Sequence, residues 1–235
     1  MNLNTLIAHH GILHKLALVT NEIVLKTGRL YLRPLMAEDA PQLFELDSDP
    51  EVMRFISKGQ PNPLLKIQNE ILPRVLTFYR SWPPQGFWAA HTRQDEQFIG
   101  WFHLRPDFLT PDEMELGYRL KRSAWGKGLA TEASLAIVKK SFEQWGYYKI
   151  SARTLVVNLA SQRVMQKAGL KFEAEFFWSE QVLPGWAQEE RRAVKYGLAT
   201  PSLNGRNPKP IDKLPDLLPK SQVSAPTTLW PLQTD

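Results

Sequence analysis

Glu115-Leu-Gly-Tyr-Arg-Leu-Lys-Arg-Ser-Ala-Trp-Gly-Lys-Gly-Leu-Ala-Thr-Glu-Ala133 is the stretch of this sequence that decides the fold. A strand-like run ends near Leu120, glycines follow at Gly126 and Gly128, and a helical pattern begins immediately after them. A strand, a glycine loop and a helix N-terminus form a recurrent anion site, because unpaired main-chain N–H groups converge where the helix dipole is positive. Glycine also lets a ligand approach the main chain closely. The stretch therefore predicts a binding site for a diphosphate group.

The spacing of the glycines narrows the kind of diphosphate carrier. Thr131 stands where a dinucleotide-binding Gly-x-Gly-x-x-Gly loop has its third glycine, so the stretch does not match that loop. It does not match a Walker loop either, which needs four residues between its first glycine and its Gly-Lys pair. The order Leu-Gly-Tyr-Arg-Leu, five residues, Gly-Lys-Gly-Leu-Ala-Thr-Glu-Ala resembles instead the acyl-CoA signature of the GNAT superfamily of N-acetyltransferases. The alternative for a Gly-x-Gly loop on its own is an ordinary turn from strand to helix.

The composition indicates one globular domain with a sizeable core. The chain has 235 residues, 43% of them hydrophobic, which suits one domain of ordinary to large size. Cysteine is absent, which excludes a disulfide framework, a thiolate metal site and a cysteine nucleophile, and suits the cytoplasm that we predict as the location. The net charge of +5 is spread among acidic residues, so we expect a solvated surface and no nucleic-acid partner.

The two ends of the chain differ from its middle. The N-terminal apolar run is too short and too interrupted for a signal peptide or a membrane span. His10 and His14 could share a helix face, but they have no third ligand nearby, so we predict an amphipathic arm and no metal site. We assign residues 1–27 to an N-terminal extension, packed on the domain or on a partner chain, which leaves a homodimer open. Residues 200–235, with seven prolines among positions 201–235, read as a flexible tail.

Between these ends the apolar period changes repeatedly from that of strands to that of helices. Residues 28–199 therefore predict an α/β (α+β) domain with a mostly antiparallel, partly split sheet flanked by helices. Asp49 and Pro50 predict the start of a helix, and Pro73 should kink or split the helical stretch from about Leu64 to Tyr79. Asn158 predicts the start of another helix, which ends at Gly169.

The resemblance to the GNAT superfamily covers most of the chain. It is nearest to the branch of ribosomal-protein N-terminal alanine acetyltransferases, and it implies the GNAT fold with acetyl-CoA as co-substrate. The segments that resemble this branch are Arg29-Leu-Tyr-Leu-Arg-Pro-Leu35, Asp49-Pro-Glu-Val-Met-Arg-Phe55, Phe98-Ile-Gly100, Trp125 to Ala133 and Asn158 to Phe172.

The family implies direct attack of an amine on the thioester of acetyl-CoA, without an acyl-enzyme. This reaction needs a cradle for the pyrophosphate, a hydrogen-bond donor to the thioester carbonyl, a base that takes a proton from the amine and a proton for the thiolate. For the base we favour Glu115, with Glu113 behind it, because a carboxylate in a partly desolvated cleft can accept the amine proton. His91 and His103 are alternatives, although we expect histidines in a strand hairpin to be exposed. Asp47, Asp49 and Glu51 could attract a cationic amine, or simply form a solvated, capped helix start.

For the proton donor we favour Ser161, one turn into the helix that Asn158 begins. Many GNAT enzymes place a tyrosine seven residues after this asparagine, but Met165 stands there in this chain. Asn158 is either a plain helix cap or, by resemblance, also a contact for the pantetheine arm. The residues that the resemblance assigns to the coenzyme are Tyr118, Arg119, Leu120, Trp125, Gly126, Lys127, Gly128, Leu129, Ala130, Thr131, Asn158 and Ser161.

The sequence therefore predicts an acetyl-CoA-dependent N-acetyltransferase acting on a primary amine: a protein N-terminus, a small-molecule amine or an aminated antibiotic. The acceptor would bind among residues of about 36–80 and 179–188. The alternative is a non-catalytic acyl-CoA-binding or protein-interaction module built on the same domain. A nucleic-acid binder would rest only on the pI of about 9.4.

Overall fold

The computed structural model describes residues 22–81, 86–110 and 112–200. Strands and helices alternate along them, as the changes of apolar period predict. The strands are β1 (Leu25–Lys26), β2 (Leu30–Pro34), β3 (Gly86–Thr92), β4 (Phe98–Pro106), β5 (Met114–Leu120), β6 (Lys149–Leu155), β7 (Lys171–Phe177) and β8 (Arg192–Ala199). The helices are α1 (Ala40–Asp47), α2 (Pro50–Ser57), α3 (Leu64–Lys66), α4 (Leu72–Ser81), α5 (Leu129–Glu143) and α6 (Leu159–Lys167).

The strands form one sheet in the order β1-β2-β3-β4-β5-β6-β8-β7. Neighbours run antiparallel except β5 and β6, which run parallel and share only two residue pairs, Met114 with Ile150 and Glu115 with Ser151. Beyond Glu115 the ladder between these strands ends, so the sheet is split toward the C-terminal end of β5. The prediction of an α/β fold with a mixed, mostly antiparallel, partly split sheet is confirmed.

Side chains of β5 alternate between the two faces of the sheet. Tyr118 packs on Phe102 with ring centroids 5.7 Å apart, on the face where Trp88 stacks on Trp145, just after α5, at 5.8 Å. The opposite face meets α1, because Arg119 forms a buried ion pair there with Asp47. We call this second face the polar face, and it carries His103 and Arg105 of β4 with Glu115, Gly117 and Arg119 of β5.

Local sequence signals explain how α2 begins and where the helical stretch before α4 is interrupted. Asp49 caps α2, because its Oδ1 accepts the N–H of Glu51 at 3.0 Å, and Pro50 occupies the first helical position. The helical stretch 64–81 is interrupted by a π-helical turn, Ile67–Ile71, placed between α3 and α4. Pro73 follows this turn and has no N–H group to donate, so the interruption agrees with the predicted effect of Pro73.

The domain bounds remain predictions. Residues 1–21 and 201–235, which hold His10, His14 and most of the proline-rich tail, lie outside the described residues. β1 lies inside the stretch predicted as an N-terminal extension and pairs with β2, so the described sheet begins at Leu25. None of the helices in the described ranges is long and apolar enough to cross a bilayer.

Candidate active site

The loop before α5 presents main-chain N–H groups that have no partner among the described residues. Gly126 and Gly128 have left-handed φ angles of 72° and 75°, and Gly128 is the N-cap of the 15-residue helix α5, without a capping side chain. Within the described part of the chain, no hydrogen bond is donated by the main-chain N–H groups of residues 126–131. A Cβ atom built on Gly126 would meet nothing within 4 Å. The loop therefore fits a diphosphate, because residues 126–128 are exposed and these donors lie at the positive end of the α5 dipole.

Side chains from the β1–β2 turn hold this loop in place. Arg29 donates to the main-chain oxygen of Lys127 at 2.9 Å and pairs with Glu132 at 2.6 Å. Glu132 lies in the first turn of α5, but its carboxylate is directed to Arg29 and to the Thr27 hydroxyl at 2.6 Å rather than to the helix N-terminus. The Trp125 indole donates to the main-chain oxygen of Leu120 at 2.8 Å, which ties the loop to the end of β5.

The end of β5 lies beside the split. Tyr118, Arg119 and Leu120, which the resemblance assigns to the pantetheine arm, all follow the last residue of β5 that pairs with β6. The Arg119 side chain is directed away to the polar face, where it pairs with Asp47. The main chain of this segment lies along the opening, beyond the last residue pair with β6, where it can form hydrogen bonds to a pantetheine arm.

Asn158 and Ser161 lie across the opening from β5, and the structure joins them to Tyr118. The Oδ1 atom of Asn158 accepts the N–H of Ser161 at 3.2 Å, so Asn158 caps α6 as predicted. The Tyr118 phenol oxygen lies 3.1 Å from both the hydroxyl and the main-chain oxygen of Ser161. Burial raises the pKa of Tyr118, although its hydrogen bond with Ser161 acts in the opposite direction. The resemblance assigns Tyr118 to the coenzyme only, and no sequence signal pointed to its contact with Ser161.

Both carboxylates predicted as bases are ion-paired. Glu115 forms a close pair with Arg105 and has Arg153 3.9 Å away, and its side chain is 14% exposed. Glu113 pairs with Lys195 at 2.8 Å and Lys149 at 3.2 Å. Glu115 lies on the polar face at the last ladder pair before the split, so it is the closer of the two along β5 to the opening. Its role as the base stays a prediction.

The two alternative histidines are buried, and the expectation that hairpin histidines would be exposed is wrong for both. His103 is 9% exposed and lies over Gly117, where an added Cβ would meet the imidazole at 2.5 Å. Burial, followed by the charges of Arg105 and Arg119, holds the pKa of His103 well below its ordinary value. His91 is 6% exposed, and burial lowers its pKa as well. Every residue of β4 is buried because both faces of the sheet are covered, so alternation could not reveal an exposed face.

The acidic residues of the α1–α2 segment are bound to cations of this chain. Asp47 pairs with Arg119, while Asp49 pairs with Arg122 at 3.2 Å. Glu45 pairs with Lys121 at 2.8 Å, which completes a row of ion pairs between α1–α2 and the end of β5. A groove of about 460 Å³ lies along this row. These carboxylates therefore join two elements of the protein and do not form a solvated helix start alone.

The loop between β7 and β8 closes against the end of α2. Lys58, whose φ angle is 52°, pairs with Glu190 at 2.7 Å, donates to the oxygen of Gly185 at 3.2 Å and lies 5.0 Å from the centre of the Trp186 ring. A second apolar cluster lies under this contact, separate from the main core. It consists of Leu155, Val182, Leu183 and Ala193 with Phe55, Phe176, Trp178 and Trp186 packed against them. The two stretches predicted to bind the acceptor are thus brought together.

The family of the chain follows from comparison with known proteins. A sequence model of the acetyltransferase (GNAT) domain matches residues 29–171. The chain belongs to the GNAT acetyltransferase family. It is an N-acetyltransferase with acetyl-CoA as co-substrate and an amine as acceptor. No three His, Asp or Glu side chains of the described ranges form a group that could hold a metal.

Individual relatives differ in what they act on. The FsC-acetyl coenzyme A-N(2)-transacetylase of Aspergillus fumigatus is 31% identical over 164 residues, which is 65% of this chain and 67% of that protein. The RimL ribosomal L7/L12 alpha-N-protein acetyltransferase with coenzyme A has a TM-score of 0.61 at 15% identity, over 76% of this chain and 98% of that one. Spermidine N-acetyltransferase from Vibrio cholerae, with CoA and spermine, has a TM-score of 0.57 at 15% identity, over 72% and 95%. The last two share the fold, which confirms the predicted fold but not the predicted branch.

Proposed function

We propose that this acetyltransferase modifies a primary amine, either a protein N-terminus or the amine of a small molecule, by direct attack and without an acyl-enzyme. The observation that best supports the proposal is the row of unpaired N–H groups at residues 126–131, beside the open end of the split sheet. This row would hold the diphosphate of acetyl-CoA. The main chain of Tyr118 to Leu120 would hold the pantetheine arm, and the absence of cysteine removes the commonest covalent nucleophile for a thioester.

In this proposal Glu115 takes the proton of the amine and Ser161 donates to the departing sulfur. Glu115 lies on the polar face, which meets α1, whereas Tyr118 reaches Ser161 on the other side of the sheet. The acceptor would therefore approach from the polar face and the coenzyme from the side of α5 and α6. Glu115, which is paired with Arg105, would accept the proton directly or through a water.

The acceptor itself has two supported classes. The sequence motifs resemble those of acetyltransferases of ribosomal-protein N-termini, and this resemblance favours a protein N-terminus. The polyamine enzyme of the same fold supports a small-molecule amine. Both classes present a primary amine, so the same base and the same coenzyme site would serve either one.

The experiment combines binding with turnover. Calorimetric titration with acetyl-CoA should show binding, and thiol release should then be measured with an alanine N-terminal peptide, spermine and an aminoglycoside. Absence of binding at millimolar acetyl-CoA would contradict the proposal. Binding without thiol release for any amine would favour the non-catalytic acyl-CoA-binding module instead.

The base is tested by Glu115→Gln. We expect the kcat to fall about 100-fold, the scale of general base catalysis, with an unchanged Kd for acetyl-CoA. Glu113→Gln is the matched control, because Glu113 lies beside β5 on the same face and is also ion-paired. An equal loss in both variants, or a normal kcat in Glu115→Gln, would remove Glu115 from the reaction.

A further inference from the structure

One contact across the split links two residues that are 43 positions apart in the chain. Tyr118 lies on β5, and Ser161 lies in the first turn of α6. The phenol oxygen of Tyr118 is 3.1 Å from the Ser161 hydroxyl and 3.1 Å from the Ser161 main-chain oxygen. The Ser161 N–H is in turn held by Asn158 at 3.2 Å. The serine is therefore fixed at its main chain by Asn158 and at its side chain by Tyr118.

The phenol has one proton and two acceptors within reach, so the contact has two arrangements. When Tyr118 donates to the main-chain oxygen of Ser161, the Ser161 hydroxyl is the donor to the phenol oxygen, and its proton is directed toward Tyr118. When Tyr118 donates to the Ser161 hydroxyl, the serine proton is released to point elsewhere. Rotation of one O–H bond thus decides where the Ser161 proton is directed.

Two further observations limit what Tyr118 can do. Burial raises the pKa of its phenol, so the group stays protonated and remains a hydrogen-bond donor. Met165, which stands where many family members have a tyrosine on this helix, is 2% exposed and has no proton to give. The hydroxyl groups on the two sides of the opening that the structure brings together are those of Tyr118 and Ser161.

We propose that the Tyr118 phenol positions the Ser161 hydroxyl as the hydrogen-bond donor to the sulfur of the departing coenzyme A, in place of a tyrosine on α6. The inference rests on the proposed function, in which the sulfur lies beside Ser161. Tyr118 is a positioning residue, because it acts through Ser161. Its phenol donates to the Ser161 oxygen in the second arrangement and so directs the serine proton to the sulfur.

The step balances without any other reactant. The bond between the amine nitrogen and the acetyl carbon forms, the bond between that carbon and sulfur breaks, and its electron pair stays on sulfur. As Ser161 passes its proton to sulfur it takes one from solvent in the same step, so the serine stays neutral, and the amine releases one proton through the base. The Ser161 hydrogen bond stabilises the negative charge that develops on sulfur, and the hydrogen bond from Tyr118 holds the serine hydroxyl in that direction.

The experiment measures thiol release at saturating acetyl-CoA and amine for Tyr118→Phe, Ser161→Ala and the double variant. We expect kcat to fall about 100-fold in Ser161→Ala and about 10-fold in Tyr118→Phe, on the scale of removing one aligned donor. The double variant should be no slower than Ser161→Ala, because Tyr118 acts only through the serine. The loss in Tyr118→Phe should also be smaller at pH 6.5 than at pH 9, because solvent protonates a thiolate of pKa about 8.5 more readily at low pH.

Tyr196→Phe is the matched control. Tyr196 is also buried on β8, and its phenol also bonds to α6, at Gln166 (3.2 Å) and Gln162 (3.3 Å), without touching Ser161. We expect its kcat to be unchanged. Ser161→Thr keeps a hydroxyl and should retain activity only while Tyr118 is present.

The outcomes separate this inference from the function on which it rests. Losses that multiply in the double variant, or a Tyr118→Phe enzyme within twofold of wild type, would overturn the positioning role while the acetyltransferase activity stood. An equal loss in Tyr196→Phe would assign the effect to the packing of α6 and overturn it too. Wild-type protein that releases no thiol would overturn the proposed function and this inference together.

Discussion

The two sides of the site are built from different chemical groups. The coenzyme side, residues 125–131 with the N-terminus of α5, presents main-chain N–H groups and two exposed glycines, of which Gly126 borders open space. The ion-paired side, residues 40–60 with the β7–β8 loop at residues 178–191, is joined by charged side chains to the end of β5 and to itself. Main-chain N–H groups are the same whatever the side chain, so they bind a diphosphate in one fixed way. Ion-paired side chains, in contrast, can be changed one at a time by substitution. We therefore expect specificity to be encoded on the ion-paired side.

The largest effect should come from the buried pair of the ion-paired side. Asp47 is 0% exposed and accepts hydrogen bonds from Arg119 and from the Asn62 amide, the latter at 2.7 Å. Asp47→Asn leaves the Arg119 charge without its buried counter-ion, so we expect the free energy of unfolding to fall by about 3–5 kcal/mol. Urea denaturation would measure the loss.

Glu45→Gln is the control for this change. Glu45 lies on the same helix and is 68% exposed in its pair with Lys121, so its removal should cost only about 0–1 kcal/mol. Equal costs for the two variants would mean that burial does not distinguish Asp47 from its neighbours. The ion-paired side would then be no more than a solvated surface.

The next effect belongs to the coenzyme side. Gly126→Ala places a side chain at a φ of 72°, a strain of about 1–2 kcal/mol that would move the N–H groups of the loop. We expect the Kd for acetyl-CoA to rise at least about tenfold, equal to 1.4 kcal/mol. Calorimetry would measure it.

Gly146→Ala isolates the binding effect from the strain. Gly146 has a φ of 75°, and an added Cβ there also meets nothing within 4 Å, but it lies after α5, far along the chain from the loop. It should lose similar stability and bind acetyl-CoA normally. Weakened binding in both variants would show that the loop is not a special site.

The same contrast explains what the sequence could and could not predict. The coenzyme side depends on local geometry, and adjacent residues were enough to predict its features. These are the strand that ends at Leu120, the glycines that follow it and the helix caps at Asp49 and Asn158. The ion-paired side depends on partners far apart, as in the pair of Asp47 and Arg119, separated by 72 residues. No spacing or period records such a pair.

The contact of Tyr118 and the burial of the two histidines could not be predicted from the sequence, for related reasons. The contact of Tyr118 with Ser161 crosses the split, and only the placement of α6 beside β5 creates it. The burial of His91 and His103 follows from helices and loops covering both faces of a sheet whose strand β4 is buried throughout. A strand buried on both faces has no exposed side to reveal by alternation.

A smaller effect concerns the pH dependence of stability on the polar face. Burial, with the charges of Arg105 and Arg119, lowers the pKa of His103, so the unfolded chain binds more protons than the folded one below pH 6.5. The free energy of unfolding should therefore fall as pH drops below about 6.5, by up to about 1.4 kcal/mol per pH unit from this group. His103→Leu should lose that part of the slope, as urea denaturation at pH 7.5, 6.5 and 5.5 would show. Identical slopes in the two proteins would contradict the burial of a neutral imidazole.

The smallest effect on stability concerns the contact of Lys58 with Glu190. This contact also gives the most direct test of whether the ion-paired side binds the acceptor. The pair is exposed, 43% and 48% for the two side chains, so Glu190→Gln should leave the melting temperature unchanged. Lys58 also holds Gly185 and Trp186, so loosening it should loosen the β7–β8 loop over the end of α2. If the acceptor binds between these elements, its KM should change several-fold while the Kd for acetyl-CoA stays constant.

Glu189→Gln provides the matched control for that measurement. Glu189 is the adjacent residue in the same exposed turn and forms no ion pair with the described residues, so neither KM nor Kd should change. An unchanged acceptor KM in Glu190→Gln would place the acceptor elsewhere and would make the closure of the loop on α2 a structural contact only. A change in the Kd for acetyl-CoA would be more damaging, because the two sides of the site would then be coupled and specificity could not be assigned to one of them.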